Sequence, residues 1–163
     1  MTTLLIMRHA KSSWDNPGTT DHDRPLNDRG RRTAPEMGQL LKNLGLMPDL
    51  ILCSTALRAR ETAKLLITSS GYEGPINESN DLYGADAAGY LMIIKKYASG
   101  NKRVLLIGHN PSCEDLITRL TGEHEQFPTG ALAQIELPVK NWDQLAPESK
   151  GKLVHLWRPK ELS

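Results

Sequence analysis

Short apolar runs alternate along this chain with segments whose apolar positions recur at helical spacing, a pattern that argues for helices packed on a mostly parallel sheet. The first run, Leu4-Leu5-Ile6-Met7, predicts a strand over residues 3–8. The loop from Trp14 to Pro25 is rich in Asp, Gly, Pro and Thr, and is longer than a plain connector needs to be. A first helix opens near Asn27, a good N-cap, carries Met37, Leu40, Leu41 and Leu44 on one face, and stops at Gly45. Pro35 conflicts with a continuous helix there. Either it kinks the helix, or residues 28–34 form a separate turn and Pro35 starts the main helix.

A second strand covers Asp49 to Cys53, with Ser54 or Thr55 expected to cap a helix running to about Ser70. A short strand near Ile76 leads to Asp81-Leu82-Tyr83-Gly84. The third helix, 87–99, places Tyr90, Leu91, Ile94 and Tyr97 at helical spacing and ends at Gly100. Strand four is 103–107, and a helix over 112–121 follows Pro111. Two later strands, 131–137 and 152–158, flank a polar stretch containing Pro138 and Pro147; antiparallel pairing is expected, in an order the pattern does not reveal. The expected fold is α/β, a three-layer αβα sandwich around a mostly parallel central sheet. At 163 residues the chain fits one domain, 1–163.

Charge narrows the field: 20 Lys+Arg against 19 Asp+Glu give no bulk signal for nucleic acid or a membrane surface. No run approaches the ~20 apolar residues of a membrane span. The sequence opens directly into a strand, without a basic segment or small-residue cleavage site, and Cys53 and Cys113 make no disulfide framework. A cytoplasmic protein is the expectation.

The chemistry lies at strand ends. The first strand runs out into Arg8-His9 and the fourth into Gly108-His109. In open α/β sheets the carboxyl ends of strands line the ligand crevice, so two histidines and an arginine there suggest chemistry on an anion. A third junction, Cys53-Ser54-Thr55-Ala56-Leu57-Arg58-Ala59, passes from strand into helix, where free backbone N–H groups favour anions. Arg58, about one turn in, is placed to reach back over the opening with a planar fork suited to phosphate.

Three motifs, Leu5-Ile6-Met7-Arg8-His9, Ser54-x-x-x-Arg58-Ala59-x-x-Thr62 and Gly108-His109, resemble the histidine phosphatase (phosphoglycerate mutase-like) superfamily. The short length, Arg8-His9-Ala10-Lys11-Ser12 and Arg24-Pro25-Leu26 resemble its small branch, the SixA-type phosphohistidine phosphatases. The resemblance spans essentially the whole chain and implies a phosphoglycerate mutase-like fold. It makes His9 the nucleophile, with Arg8, Arg58 and His109 around the equatorial oxygens of the transferring phosphoryl group. Water would then hydrolyse a phospho-His9 intermediate. No cofactor or metal is implied, because two arginines and a cationic imidazole provide the positive charge. The superfamily usually has glycine after the Arg-His pair; Ala10 is tolerable there if its φ stays negative.

Relatives that act on phosphate esters carry a carboxylate that protonates the leaving oxygen. Asp81 is the closest match, Glu78 the second, and Asp81 reads equally well as a turn aspartate. An imidazole leaves more easily than an alkoxide, which favours a phosphohistidine-bearing protein as the partner. The chain also has little length for insertions that enclose a small phosphorylated molecule. A phosphatase for small phosphate esters, or a phosphate-recognition module without turnover, are the alternatives.

Other features read as background. Asp21-His22-Asp23 matches no zinc spacing and reads as a solvated loop triplet, and His124 and His155 lack a partner pattern. Lys11 and Arg24 are either positive potential at the mouth of the site or plain solvated charges. Cys53 lies one residue short of the spacing a cysteine-dependent phosphate loop needs, and reads as a small apolar residue at a strand end.

Overall fold

The computed structural model describes residues 1–162. Its strands are β1 (Thr2–Arg8), β2 (Leu50–Ser54), β3 (Ile76–Ser79), β4 (Arg103–Gly108), β5 (Leu132–Leu137) and β6 (Lys152–Trp157). They form one sheet in the order β3-β2-β4-β1-β5-β6. β1 to β4 run parallel, while β5 is antiparallel to both β1 and β6. The two C-terminal strands thus extend the sheet beyond β1, with a register shift between Gln134 and Ile135.

The helices are α1 (Asp28–Asn43), α2 (Leu57–Ser70), the one-turn α3 (Asp81–Gly84), α4 (Ala87–Tyr97) and α5 (Ser112–Thr121). Alternation along the central strands assigns them to layers. Leu5, Met7, Ile51, Cys53, Leu105 and Ile107 face α1 and α2, packing with Met37, Leu41 and Leu66. Leu4, Ile6, Leu52, Val104 and Leu106 face the other way, against Tyr90 and Ile94 of α4 and Leu116 and Leu120 of α5. Both sheet faces are therefore buried, which is why these strands read as unbroken apolar runs. The result is the expected three-layer α/β sandwich. No helix among the described residues is long and apolar enough to cross a membrane.

One open alternative is decided and two local expectations are corrected. α1 is one helix from Asp28 to Asn43 with Pro35 inside it, so there is no separate leading turn. The backbone hydrogen bond that proline forfeits is outweighed by packing on α2. At Gly38 the helices approach so closely that an added Cβ would lie 2.4 Å from the Leu66 carbonyl oxygen. The Ser69 hydroxyl, donating to the Pro35 carbonyl at 2.8 Å, ties the same surfaces together. The cap of α2 is Ala56, not Ser54 or Thr55. Ser54 remains the last residue of β2, and its Oγ accepts from Ala56 N at 3.2 Å. Arg58 is accordingly the second residue of α2 rather than a full turn in.

Register brings the chemistry together. Arg8 pairs with Gly108 and Cys53 with Ile107, so His9, Ser54 and His109 emerge at one edge of the sheet. His9 N donates to the Gly108 carbonyl at 3.1 Å, holding the two histidine loops side by side. Gly108 itself is required by crowding: a Cβ there would lie 2.7 Å from the Tyr90 hydroxyl oxygen.

Candidate active site

Arg8, His9, Arg58 and His109 line one crevice of about 210 Å³ at the carboxyl ends of β1, β2 and β4. The rings of His9 and His109 are 5.0 Å apart between centroids. His9 Nδ1 lies 2.7 Å from the Ala10 carbonyl oxygen, which can only accept, so Nδ1 carries the ring proton. That leaves the lone pair on Nε2, where Arg58 Nε donates at 3.3 Å. Burial first, then the nearby His109, Arg58 and Arg8 charges, pull the pKa of His9 down to about 3, against the opposing Ala10 hydrogen bond. Neutral imidazole with an inward lone pair is the form a nucleophile requires.

The surroundings of His109 also favour the neutral ring, against the cationic imidazole expected there. Burial and then Arg58 lower its pKa to about 4. Its Nε2 lies 2.8 Å from Ser54 Oγ, which already accepts from Ala56 N. Ser54 Oγ donates to no other group among the described residues, so its proton is assigned toward Nε2, which leaves the ring proton on Nδ1. Arg8 Nε, Arg24 Nε and His109 Nδ1 are all buried without a hydrogen-bond partner among the described residues. All three residues line the crevice. Three arginines and two imidazoles around one hollow give it the donors and positive charge that suit an anion with several oxygens.

The backbone after His9 is held by α2. Thr62 Oγ1 accepts from Ala10 N at 3.0 Å and donates to the Arg58 carbonyl at 2.7 Å, coupling the His9 loop to the helix that carries Arg58. Among the described residues no non-glycine residue has positive φ, so Ala10 takes the place of the usual glycine without strain.

The Asp21-His22-Asp23 triplet, expected to be solvated, contributes a wall of the site through Asp21. Asp21-His22-Asp23 forms a 3-10 turn, and Asp21 reaches Arg58 twice: its carbonyl accepts from Nη1 at 2.7 Å and Oδ2 from Nη2 at 3.2 Å. Tyr83 donates to the same carboxylate at 2.6 Å, and packs edge-on against His109. His22 Nε2 is 2.9 Å from Thr55 Oγ1, which in turn donates to Asn80. The Tyr83 hydrogen bond, then Arg58, hold the Asp21 carboxyl below the usual carboxylate range, against the opposite pull of burial.

Arg24 is a buried crevice residue rather than a solvated charge. It donates to Ser12 Oγ and lies with Cζ 3.3 Å from the centroid of the exposed Trp14 ring. The bridge between Ser12 and Leu26 explains this placement, because it folds the loop back on itself. Lys11 is exposed at the mouth.

Asp81 is not brought into the crevice. It begins α3 with its side chain exposed, and Glu78 is likewise exposed on the edge strand β3. Among the described residues Asp21 is the carboxylate lining the site, and the segment around Asp81 contributes Tyr83 instead. The length of the Trp14–Pro25 loop was the available signal for Asp21 and Arg24; nothing in the pattern marked Tyr83. Cys53 is buried with its thiol pushed far up by desolvation, so it packs and does not react. His155 is exposed beside Trp157, and His124 is exposed on a loop.

Comparisons with known proteins agree with this geometry. Residues 4–88 match the model of the histidine phosphatase superfamily (branch 1). An uncharacterized protein of Mycobacterium leprae is 34% identical over 156 residues, covering 88% of this chain and 94% of its own. Among solved structures, SixA of Agrobacterium tumefaciens is 30% identical with a TM-score of 0.83, covering 97% of this chain and 98% of that one. SixA of Nakamurella multipartitia is 26% identical with a TM-score of 0.85, covering 97% and 96%. A match that spans Arg8, His9 and Arg58, with a fold that superposes over 97% of the chain, means that the chain belongs to the histidine phosphatase superfamily, as a SixA-type protein.

Proposed function

We propose that this phosphatase removes phosphate from protein phosphohistidine through a phospho-His9 intermediate, without a metal. The observation that carries the substrate class is the state of Asp21. It is the carboxylate in the crevice, and Tyr83 and Arg58 favour its ionised form, so it is a poor proton donor. An alkoxide leaving group needs such a donor, whereas a phosphohistidine ring protonated on its other nitrogen leaves neutral. Both solved relatives are named as candidate phosphohistidine phosphatases, which supports the same reading.

The chemistry balances without an acid. His9 Nε2 attacks phosphorus as the substrate's P–N bond breaks, and the partner's imidazole departs neutral. Because Nδ1–H stays on the Ala10 carbonyl, phospho-His9 forms as a cationic ring and is itself a good leaving group. Water then attacks phosphorus, its two protons remain with the released dihydrogen phosphate, and His9 returns to its starting tautomer. Arg8, Arg58 and His109 surround the equatorial oxygens. Buried free thiols at Cys53 and Cys113 fit a reducing, cytoplasmic setting for this work.

The test measures kcat/KM for a phosphohistidine peptide, a phosphoserine peptide and a simple sugar phosphate, and traps the phosphoenzyme. The phosphohistidine peptide is expected to lead, with an enzyme-bound label that is lost in acid, kept in alkali and missing from His9→Ala. Preference for the sugar phosphate, or an acid-stable label, refutes the proposal.

A further inference from the structure

Beside the phosphate crevice lies a larger cavity of about 620 Å³. Arg8, Lys11, Asn110 and Thr129 line both hollows, so the two adjoin. Arg29, Arg158 and Lys160 add further positive charge to the larger one. Its two carboxylates are already engaged: Glu114 accepts from Asn110 at 2.7 Å, and Glu161 lies 3.6 Å from Arg158. Arg158 is anchored from behind as well, by Glu125 at 3.1 Å and by the Gln126 carbonyl. Arg29, exposed in the first turn of α1, and Lys11, at the junction of the hollows, have no ion pair among the described residues. The net field of the cavity is therefore positive and partly unanswered.

We propose that this cavity receives acidic side chains flanking the phosphorylated histidine of the partner protein, with Arg29 and Lys11 as their counter-charges; the inference rests on the phosphohistidine reading above. A second anion of another kind, such as a nucleotide, fits less well. The aromatic residue lining the cavity, Phe127, is 1% exposed and offers a base no face to stack on. Pro128 and Pro159 instead give a stiff apolar rim, against which the stems of glutamates can lie. The positive lining steers an acidic surface toward the crevice and holds its histidine at the mouth.

Two phosphohistidine peptides that differ only in flanking Glu or Lys residues test the proposal, with wild-type enzyme, Arg29→Glu and Arg29→Lys. Wild type is expected to favour the Glu-flanked peptide by about 10-fold in kcat/KM at low salt, and less at high salt. Arg29→Glu should cut that preference by about 5-fold, the size of an exposed ion pair lost, while Arg29→Lys keeps most of it. In a second arm, an unphosphorylated Glu-rich peptide should inhibit phosphate release from phosphoramidate, and a Lys-rich one should not. Equal turnover of the two phosphopeptides, or stronger inhibition by a mononucleotide than by the acidic peptide, overturns the docking proposal and leaves the phosphohistidine reading standing. Inhibition by the acidic peptide without turnover of either phosphopeptide supports an acid-selective cavity and refutes the phosphohistidine reading instead.

Discussion

Lowering the pH from 7 toward 4.5 should destabilise the fold through His9 and His109, two imidazoles buried without charge. An unfolded histidine takes up its proton near pH 6.5, whereas in the folded chain burial delays protonation to about 3 for His9 and about 4 for His109. Between those limits the unfolded state binds more protons, so stability falls as pH falls, by about 1.4 kcal/mol per pH unit for each histidine. The penalty begins below pH 6.5 and grows until the folded pKa is reached. By pH 4.5 either ring alone should cost about 3 kcal/mol, a large share of the ~5–15 kcal/mol typical of a domain. The two rings are 5.0 Å apart, and the His109 charge is one of the causes that lower the pKa of His9, so the costs of the pair are not expected to add simply. Urea unfolding followed by circular dichroism from pH 8 to 4.5 measures the slope. His9→Asn and His109→Asn should each flatten it by about one proton's worth. Parallel curves for wild type and both variants would refute the claim that these histidines are buried neutral.

Three further outcomes are expected. Arg58→Ala should lower kcat/KM by on the order of 10³-fold, and Arg58→Lys should restore little, because the lysine lacks the fork that reaches His9 and the phosphoryl oxygens; steady-state assays decide this. Ser54→Ala removes the partner of both His109 Nε2 and Ala56 N, and should cost about 10-fold in kcat with about 1–2 kcal/mol of stability, read from kinetics and denaturation together. Gly108→Ala should destabilise the fold by about 1–3 kcal/mol in thermal melts, since its Cβ would meet a Tyr90 hydroxyl that is itself fixed by the Leu82 carbonyl.

Much of this protein was legible from sequence alone because its signals are local. The apolar runs of the central strands are bounded by the residues that carry the chemistry, so Arg8-His9 and Gly108-His109 mark strand ends whatever the sheet order. Asn27 and Gly45 likewise bracket α1 correctly, since caps act within a turn of the residues they cap. Pro35 left two readings open for the converse reason: its local cost is outweighed by contact with α2, which is adjacent only in the folded chain. The positions of β5 and β6 beyond β1 were equally a matter of tertiary pairing.

The site divides the same way. Sequence supplied Arg8, His9, Arg58 and His109, but not their protonation, because desolvation depends on what surrounds a ring in space. It is burial, and then the neighbouring Arg58, that favours neutral His109 where a cation was expected. Asp21 and Tyr83, 62 residues apart, meet only when the Trp14–Pro25 loop folds back over α2 and α3. Asp81 had the more suggestive position in the chain, yet its helix turns it to solvent. Residue types and strand ends are properties of the chain itself; which carboxylate faces an arginine, and how much water reaches a histidine, are properties of three-dimensional packing.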